Sequence, residues 1–165
     1  MAKFHYLVAQ LPTLFFDRDP GISVADFLRE AEKWMSESEF EVFSGIRFDD
    51  PVVSETEPEL LRAYREFEFD LRTDVALLRR ARAAGVDYKP VYFPLQTVKE
   101  GTPLDVEKKL LHLRWDFLED KTVGHNFDLQ EIIAYYLKMQ ILERLDSFDK
   151  EKGKQTYHRL CGVQA

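Results

Sequence analysis

The chain has 165 residues, 45% of them hydrophobic, and a formal net charge of -7. Those values suit one domain with a single sizeable core, and they argue against a nucleic-acid binder or a protein held on anionic lipid headgroups. The acidity is concentrated, since residues 1–60 carry thirteen Asp and Glu against five Lys and Arg, leaving seventeen against eighteen for the rest. Two readings of that segment stand open, a solvated acidic surface and an electrostatic docking face for a neutral or basic partner. Cys161 is the sole cysteine, so neither an intrachain disulfide nor a multi-thiolate zinc site can form, which fits a reducing compartment. His5, Gln10 and Pro12 break up the first sixteen residues, which lack the organisation of a secretory signal. No apolar run approaches the ~20 residues that span a bilayer. The expectation is a cytoplasmic protein with no direct membrane insertion.

Residues 2–11 form a short apolar segment stopped by Pro12. Helix is the first reading, and the alternation of Phe4, Tyr6 and Val8 leaves a short N-terminal strand as the alternative. A turn at Asp17–Gly21 follows, and Ser23 then N-caps a helix running to about Met35, with Asp26 at the capping-box position. Ser36 or Ser38 caps a second short helix that points Phe40 and Phe43 inward and stops at Gly45. Residues 48–58 read as a loop.

The second strong helix spans Pro58 to Ala84. It points Leu60, Leu61, Tyr64, Phe67, Leu71, Val75 and Leu78 inward and has Gly85 as its stop. Residues 86–103 are read as an ordered crossing loop in which only Val91–Phe93 has strand character, and whose Tyr88, Tyr92 and Phe93 pack over helix ends. Pro103 opens a helix that ends at Gly124, with Val106, Leu110, Leu113, Phe117 and, by extension, Trp115 inward. From Asn126 to Gly153, and on to about residue 158, one long helix is expected. One face carries Leu129, Ile133, Tyr136, Leu137, Ile141, Leu145 and Phe148, and a second carries Ile132, Tyr135, Met139 and Leu142. Two apolar faces imply burial between neighbours. The polar run after Leu145 makes the helix leave the core and project beyond about residue 146, where a partner could grip it. The fold expected is all-α, a helical bundle with two long helices and several shorter ones in a single domain over 1–165.

The search for chemistry gives little. Seven glycines stand apart along the chain, whereas phosphate cradles need them clustered. The residues three before His5, His112, His125 and His158 are Ala2, Lys109, Thr122 and Gln155, so no Glu-x-x-His pair exists for a di-iron site, and HExxH is absent as well. His112 reads as a structural histidine, Asn126 or Asp128 as the cap of the last helix, and Cys161 lacks a neighbouring motif that would lower its thiol pKa. No catalytic, cofactor-binding or metal-binding residue is assigned.

The charged run from Arg65 to Arg80 is the exception to this blandness. Glu66, Asp70 and Asp74 lie four apart, as do Glu68 and Arg72, so both signs sit on adjacent helix faces. Solvated pairs and a buried interhelical network are both open. Glu107, Asp116 or Glu143 could complete a network, and Arg114 beside Trp115 permits the same reading. Glu68, Arg72, Glu107 and Arg114 are its candidate members.

The segments YLVAQLP, FEFDLRTDVALLRRAR, LRWDFLED and NFDLQEIIAYYLKMQILERLDSFDKEKGK together resemble a bacterial family of unknown function whose members are typically encoded inside V-type ATPase operons. IIAYYLKMQILERL is also faintly similar to helices of the d-like component of V-type ATPases, the all-helical socket between the rotor shaft and the membrane ring. The resemblance implies a non-catalytic accessory or d-like component of a bacterial rotary ATPase, whether proton- or sodium-translocating. Its partners would be central-stalk or membrane-ring subunits, and its place the cytoplasm, peripheral to the inner membrane through a complex. Charge alone nominates Glu37, Glu39, Glu41, Lys150, Lys152, Lys154 and Arg159 as partner contacts. Two other readings compete, an independent helical adaptor or regulator, and a small-ligand enzyme with a site between helices around Arg72, Arg114, Trp115 and His125.

Overall fold

The computed structural model of the chain describes residues 3–162, apart from the side chains of residues 150–152. Eight helices are found among them: α1 (His5–Gln10), α2 (Val24–Glu32), α3 (Glu37–Ser44), α4 (Glu59–Ala84), α5 (Gln96–Lys99), α6 (Pro103–Thr122), α7 (Leu129–Asp146) and α8 (Lys150–Cys161). The fold is all-helical, with no strand among the described residues. None of these helices is long and apolar enough to cross a membrane.

Local sequence sets the helix ends. The Ser23 hydroxyl accepts from the Asp26 amide to start α2. Ser36 and Glu39 form a reciprocal capping box on α3, and Thr102 and Asp105 form another on α6, where Pro103 holds the first position. Gly85 closes α4 in the left-handed region at φ 65°, where a side chain would be strained. Ser36→Ala should cost about 1 kcal/mol, because it removes an acceptor for an otherwise orphaned amide. Equilibrium urea unfolding measures this, and an unchanged midpoint would contradict the cap assignment.

Packing follows from α7. Ile132, Ile133, Ala134, Tyr136, Leu137, Met139, Ile141, Leu142 and Leu145 are all buried, and they cover most of the helix circumference. A helix apolar on nearly every side must lie between others, and α7 does so, packed against α2, α4 and α6. Each fully buried Leu or Ile contributes about 1.5–3 kcal/mol of transfer free energy. Phe27 of α2 sits among the rings of Phe43, Tyr135 and Tyr136, with centroids 6.2, 5.3 and 5.7 Å away. A smaller cluster of Leu71, Leu78, Phe93 and Leu110 joins α4, α6 and the crossing loop.

The polar residues of α7 hold the loops. Gln140 accepts from the Phe48 amide at 3.0 Å and donates to the Ile46 carbonyl at 2.8 Å. Gln130 accepts from the Leu60 amide at 3.0 Å, satisfying one of the unpaired donors at the start of α4. The Tyr135 hydroxyl donates to the Pro12 carbonyl at 2.9 Å, which ties the N-terminal segment down.

The structure corrects several expectations. The N-terminal strand alternative fails because Phe4 is buried while Tyr6 is 65% exposed, so the two residues do not share a face. Phe4, Leu7 and Leu11 instead follow the helical spacing, with Leu7 buried deepest. The long terminal helix is two helices. Ser147 caps α7, its hydroxyl donating back to the Arg144 carbonyl at 2.6 Å, and the Phe148 amide closes a tight turn onto the Leu145 carbonyl. Phe148 packs on the core with the Arg144 guanidinium 4.7 Å from its ring, so the chain turns before α8 begins.

On α6 the buried residues are Leu110, Leu111, Arg114, Trp115 and Leu118, whereas Val106, Leu113 and Phe117 are half-buried. Contact with both α4 and α7 widens the inward face beyond a single stripe. Leu129, expected inward, is exposed at the first turn of α7. The crossing loop contains the one-turn helix α5. Within that loop Phe93 is buried, Tyr88 half-buried and Tyr92 exposed.

Candidate functional site

The sequence of α4 places Arg65, Glu68 and Arg72 three and four residues apart, on one stripe of the helix. Glu68 is fully buried there. From α6, Arg114 grips it with two bonds, Nε to one carboxylate oxygen at 2.7 Å and a terminal nitrogen to the other at 3.0 Å. Arg72 Nε adds a third at 2.6 Å, and the same guanidinium donates to the Asp49 carbonyl at 2.7 Å. Burial disfavours the Arg114 cation, but the hydrogen bonds and charge of Glu68 outweigh it and raise its pKa. Above this centre the Tyr64 hydroxyl donates to the Phe48 carbonyl at 2.8 Å, and burial followed by the Glu68 charge pushes its pKa up.

Arg65 holds the loop before α4. It donates to the Val52 carbonyl at 2.7 Å, pairs with Glu57 and lies 3.2 Å from Asp50. On the other side of α4, Asp74 is 3% exposed. Its carboxylate accepts from the Tyr88 hydroxyl at 2.6 Å and from the amides of Val91 and Tyr92 at 2.7 and 2.8 Å. Burial alone would raise the Asp74 pKa, and the three donors together bring it below the ordinary carboxylate value. One helix thus fastens α6 and both flanking loops through charged groups.

Of the four network candidates, Glu68, Arg72 and Arg114 meet in this centre. Glu107 does not join it, and faces Arg144 of α7 across 3.9 Å. Arg65 and Asp74 belong to the charged run but not to its four candidate members, although each leaves a signal. Arg65 continues the Glu68–Arg72 spacing by one step, and Asp74 is a carboxylate inserted in the apolar series Leu71, Val75, Leu78.

The residues suggested for a small-ligand site do not converge. Arg72 and Arg114 are both bound to Glu68. Trp115 packs against Phe16 and lies 5.3 Å under the Lys138 ammonium. His125 pairs at 2.7 Å with Asp128, which caps α7. His112 pairs with Asp116 at 2.9 Å and abuts the ring of Phe16. Among the described residues no three His, Cys, Asp or Glu side chains cluster as a metal could use.

The charge-nominated contacts fall on two surfaces. Glu37 and Glu41 are exposed on α3. Glu39 is already committed, accepting from Lys3 at 2.7 Å and from the Ser36 amide at 2.8 Å, and those bonds hold its carboxyl down at about 2. Lys154 and Arg159 are exposed on α8, while the Lys150 and Lys152 side chains lie outside the described residues.

These features define an all-helical protein whose helix α4 fixes its surroundings through charged side chains, by ion pairs and by hydrogen bonds. Within that class, the model of a family described as protein of unknown function (DUF2764) matches residues 78–163. The match covers just over half the chain, from the end of α4 through α8, and the chain belongs to that family. Neither the curated proteins nor the solved structures hold a match to it.

Proposed function

We propose that the chain is a non-catalytic accessory or d-like component of a bacterial V-type rotary ATPase, making protein contacts with stalk or membrane-ring subunits. The resemblance of its helical segments to the family encoded within such operons carries this reading. The disposition of its interior charges supports it. Glu68, Arg114, Arg65 and Asp74 are each committed to holding one element against another, as a rigid part seated between moving subunits requires.

The test is affinity capture of the full chain from native membranes over a salt series, with the captured proteins identified by mass spectrometry. Stalk or ring subunits should be recovered near stoichiometry at low salt and decline as salt screens the contacts. Recovery of none under gentle low-salt conditions overturns the ATPase assignment and leaves an independent adaptor.

A further inference from the structure

A cleft of about 460 Å³ opens where the Asp17–Val24 segment passes the last turns of α7. Its floor is apolar, with Leu142 and Leu145 buried and Phe148 half-buried. Its ionisable lining is five carboxylates against two cations, Arg18 and Lys108. Asp146 and Asp149, two of the five, are engaged within the chain, and Asp17, Asp19 and Glu143 make up the rest. An apolar floor under an acidic rim fits a basic amphipathic helix, which lays its apolar stripe inward and its cations on the edge.

The chain itself carries such a helix. By sequence α8 holds Lys150, Lys152, Lys154 and Arg159 against Glu151 alone. It also leaves Tyr157 62% and Leu160 75% exposed, three residues apart on one face. The last cleft residue, Asp149, immediately precedes α8. α8 therefore starts at the rim of its own copy's cleft. Tyr157 and Leu160 are exposed and therefore not seated in the cleft of their own copy, and a second copy offers the same acidic rim for a reciprocal exchange of the kind that closes a dimer. We infer that α8 of one copy docks through Tyr157 and Leu160 in the acidic-rimmed cleft of a second copy, exchanged reciprocally. This stands independently of any ATPase partner.

Cys161, exposed at the end of α8 and the sole cysteine, allows a direct test. Full-length chain carrying a photoreactive maleimide on Cys161 is mixed with isotopically heavy, unlabelled chain and irradiated. The expected products join light Cys161 to heavy residues within 17–24 or 139–149. Cross-links confined to one chain, or none reaching the cleft, overturn the exchange. Charge reversal supplies a second test on exposed residues. Glu143→Lys and Lys154→Glu should each weaken dimerisation about tenfold in sedimentation equilibrium, and the two combined should recover it. A combined variant as weak as the product of the singles, or a wild-type chain that stays monomeric, also overturns it.

Discussion

Glu68→Ala is expected to destabilise the fold by about 3–5 kcal/mol, the usual cost of removing one member of a buried ion pair and stranding the other. Arg114, with 11% of its side chain exposed, would keep its charge inside with neither carboxylate oxygen to meet it. Arg72 is 48% exposed and keeps the Asp49 carbonyl, so it can return to water at little cost. The penalty therefore sits on Arg114. The double replacement Glu68→Met with Arg114→Met should lose far less, because it removes both desolvated charges and fills the space with apolar atoms. Urea unfolding of the two variants decides the point. Equal losses would mean that the pair contributes through packing volume and not through charge.

Asp74→Ala should cost about 2–4 kcal/mol and loosen the crossing loop. Three donors converge on the carboxylate, and a hydrogen bond to a charged group is worth roughly 1.5–3 kcal/mol. Tyr92 and Val91 are exposed and can partly rehydrate their amides, which brings the total below the simple sum. Hydrogen exchange at the Val91 and Tyr92 amides should accelerate well before the core of α7 responds, since Asp74 holds the loop directly at these two amides. The pH dependence follows from the lowered pKa of Asp74. A carboxyl whose folded pKa lies below its ordinary 3.8 contributes stability that is fully present above that value and fades as pH falls through the folded value. Asp74→Ala should thus flatten the acid limb of the stability curve. An acid limb as steep as wild type would mean that other carboxyls set it.

Much of the fold was legible because the helix signals are local. Ser23, Ser36 and Gly85 mark boundaries through bonds made within a few residues of themselves and Pro103 through its fixed φ, and the structure places helix ends beside each of them. Leu60, Leu61, Tyr64, Leu71 and Leu78 announced the buried face of α4 by spacing alone. The terminal helix was misread because its break depends on Phe148 finding a place on the core and on Ser147 bonding backward, neither of which interrupts the apolar period. The inward face of α6 was too narrow because periodicity assumes one neighbour, and α6 packs against α4, α5 and α7.

Interior charges were the hardest to read. Spacing suggested Glu68 with Arg72, and Arg114 was among the candidates for completing a network, but its bidentate grip depends on how α4 and α6 are aligned. Glu107 sits on the same helix as Arg114 and pairs with α7 instead, a difference of face that no one-dimensional pattern resolves. Asp74 stood in the Glu66, Asp70, Asp74 series, for which solvated pairs and a buried network were both open, and spacing could not single it out because its donors are the Tyr88 hydroxyl and two loop amides fourteen, seventeen and eighteen residues away. Glu39 was nominated as a contact by its charge, yet local capping and Lys3 already employ it.

If the interior charges build a rigid body while the surface does the binding, the two can be separated by mutation. Two variants are compared in the membrane capture experiment, each verified as folded by circular dichroism. One is the interior exchange Glu68→Met with Arg114→Met. The other reverses the exposed charges, Glu37→Lys, Glu41→Lys, Lys154→Glu and Arg159→Glu. The interior variant should capture stalk or ring subunits as wild type does, and the surface variant should lose them. Capture abolished by the interior exchange in a folded protein, or undiminished by the surface reversals, would contradict that division of labour.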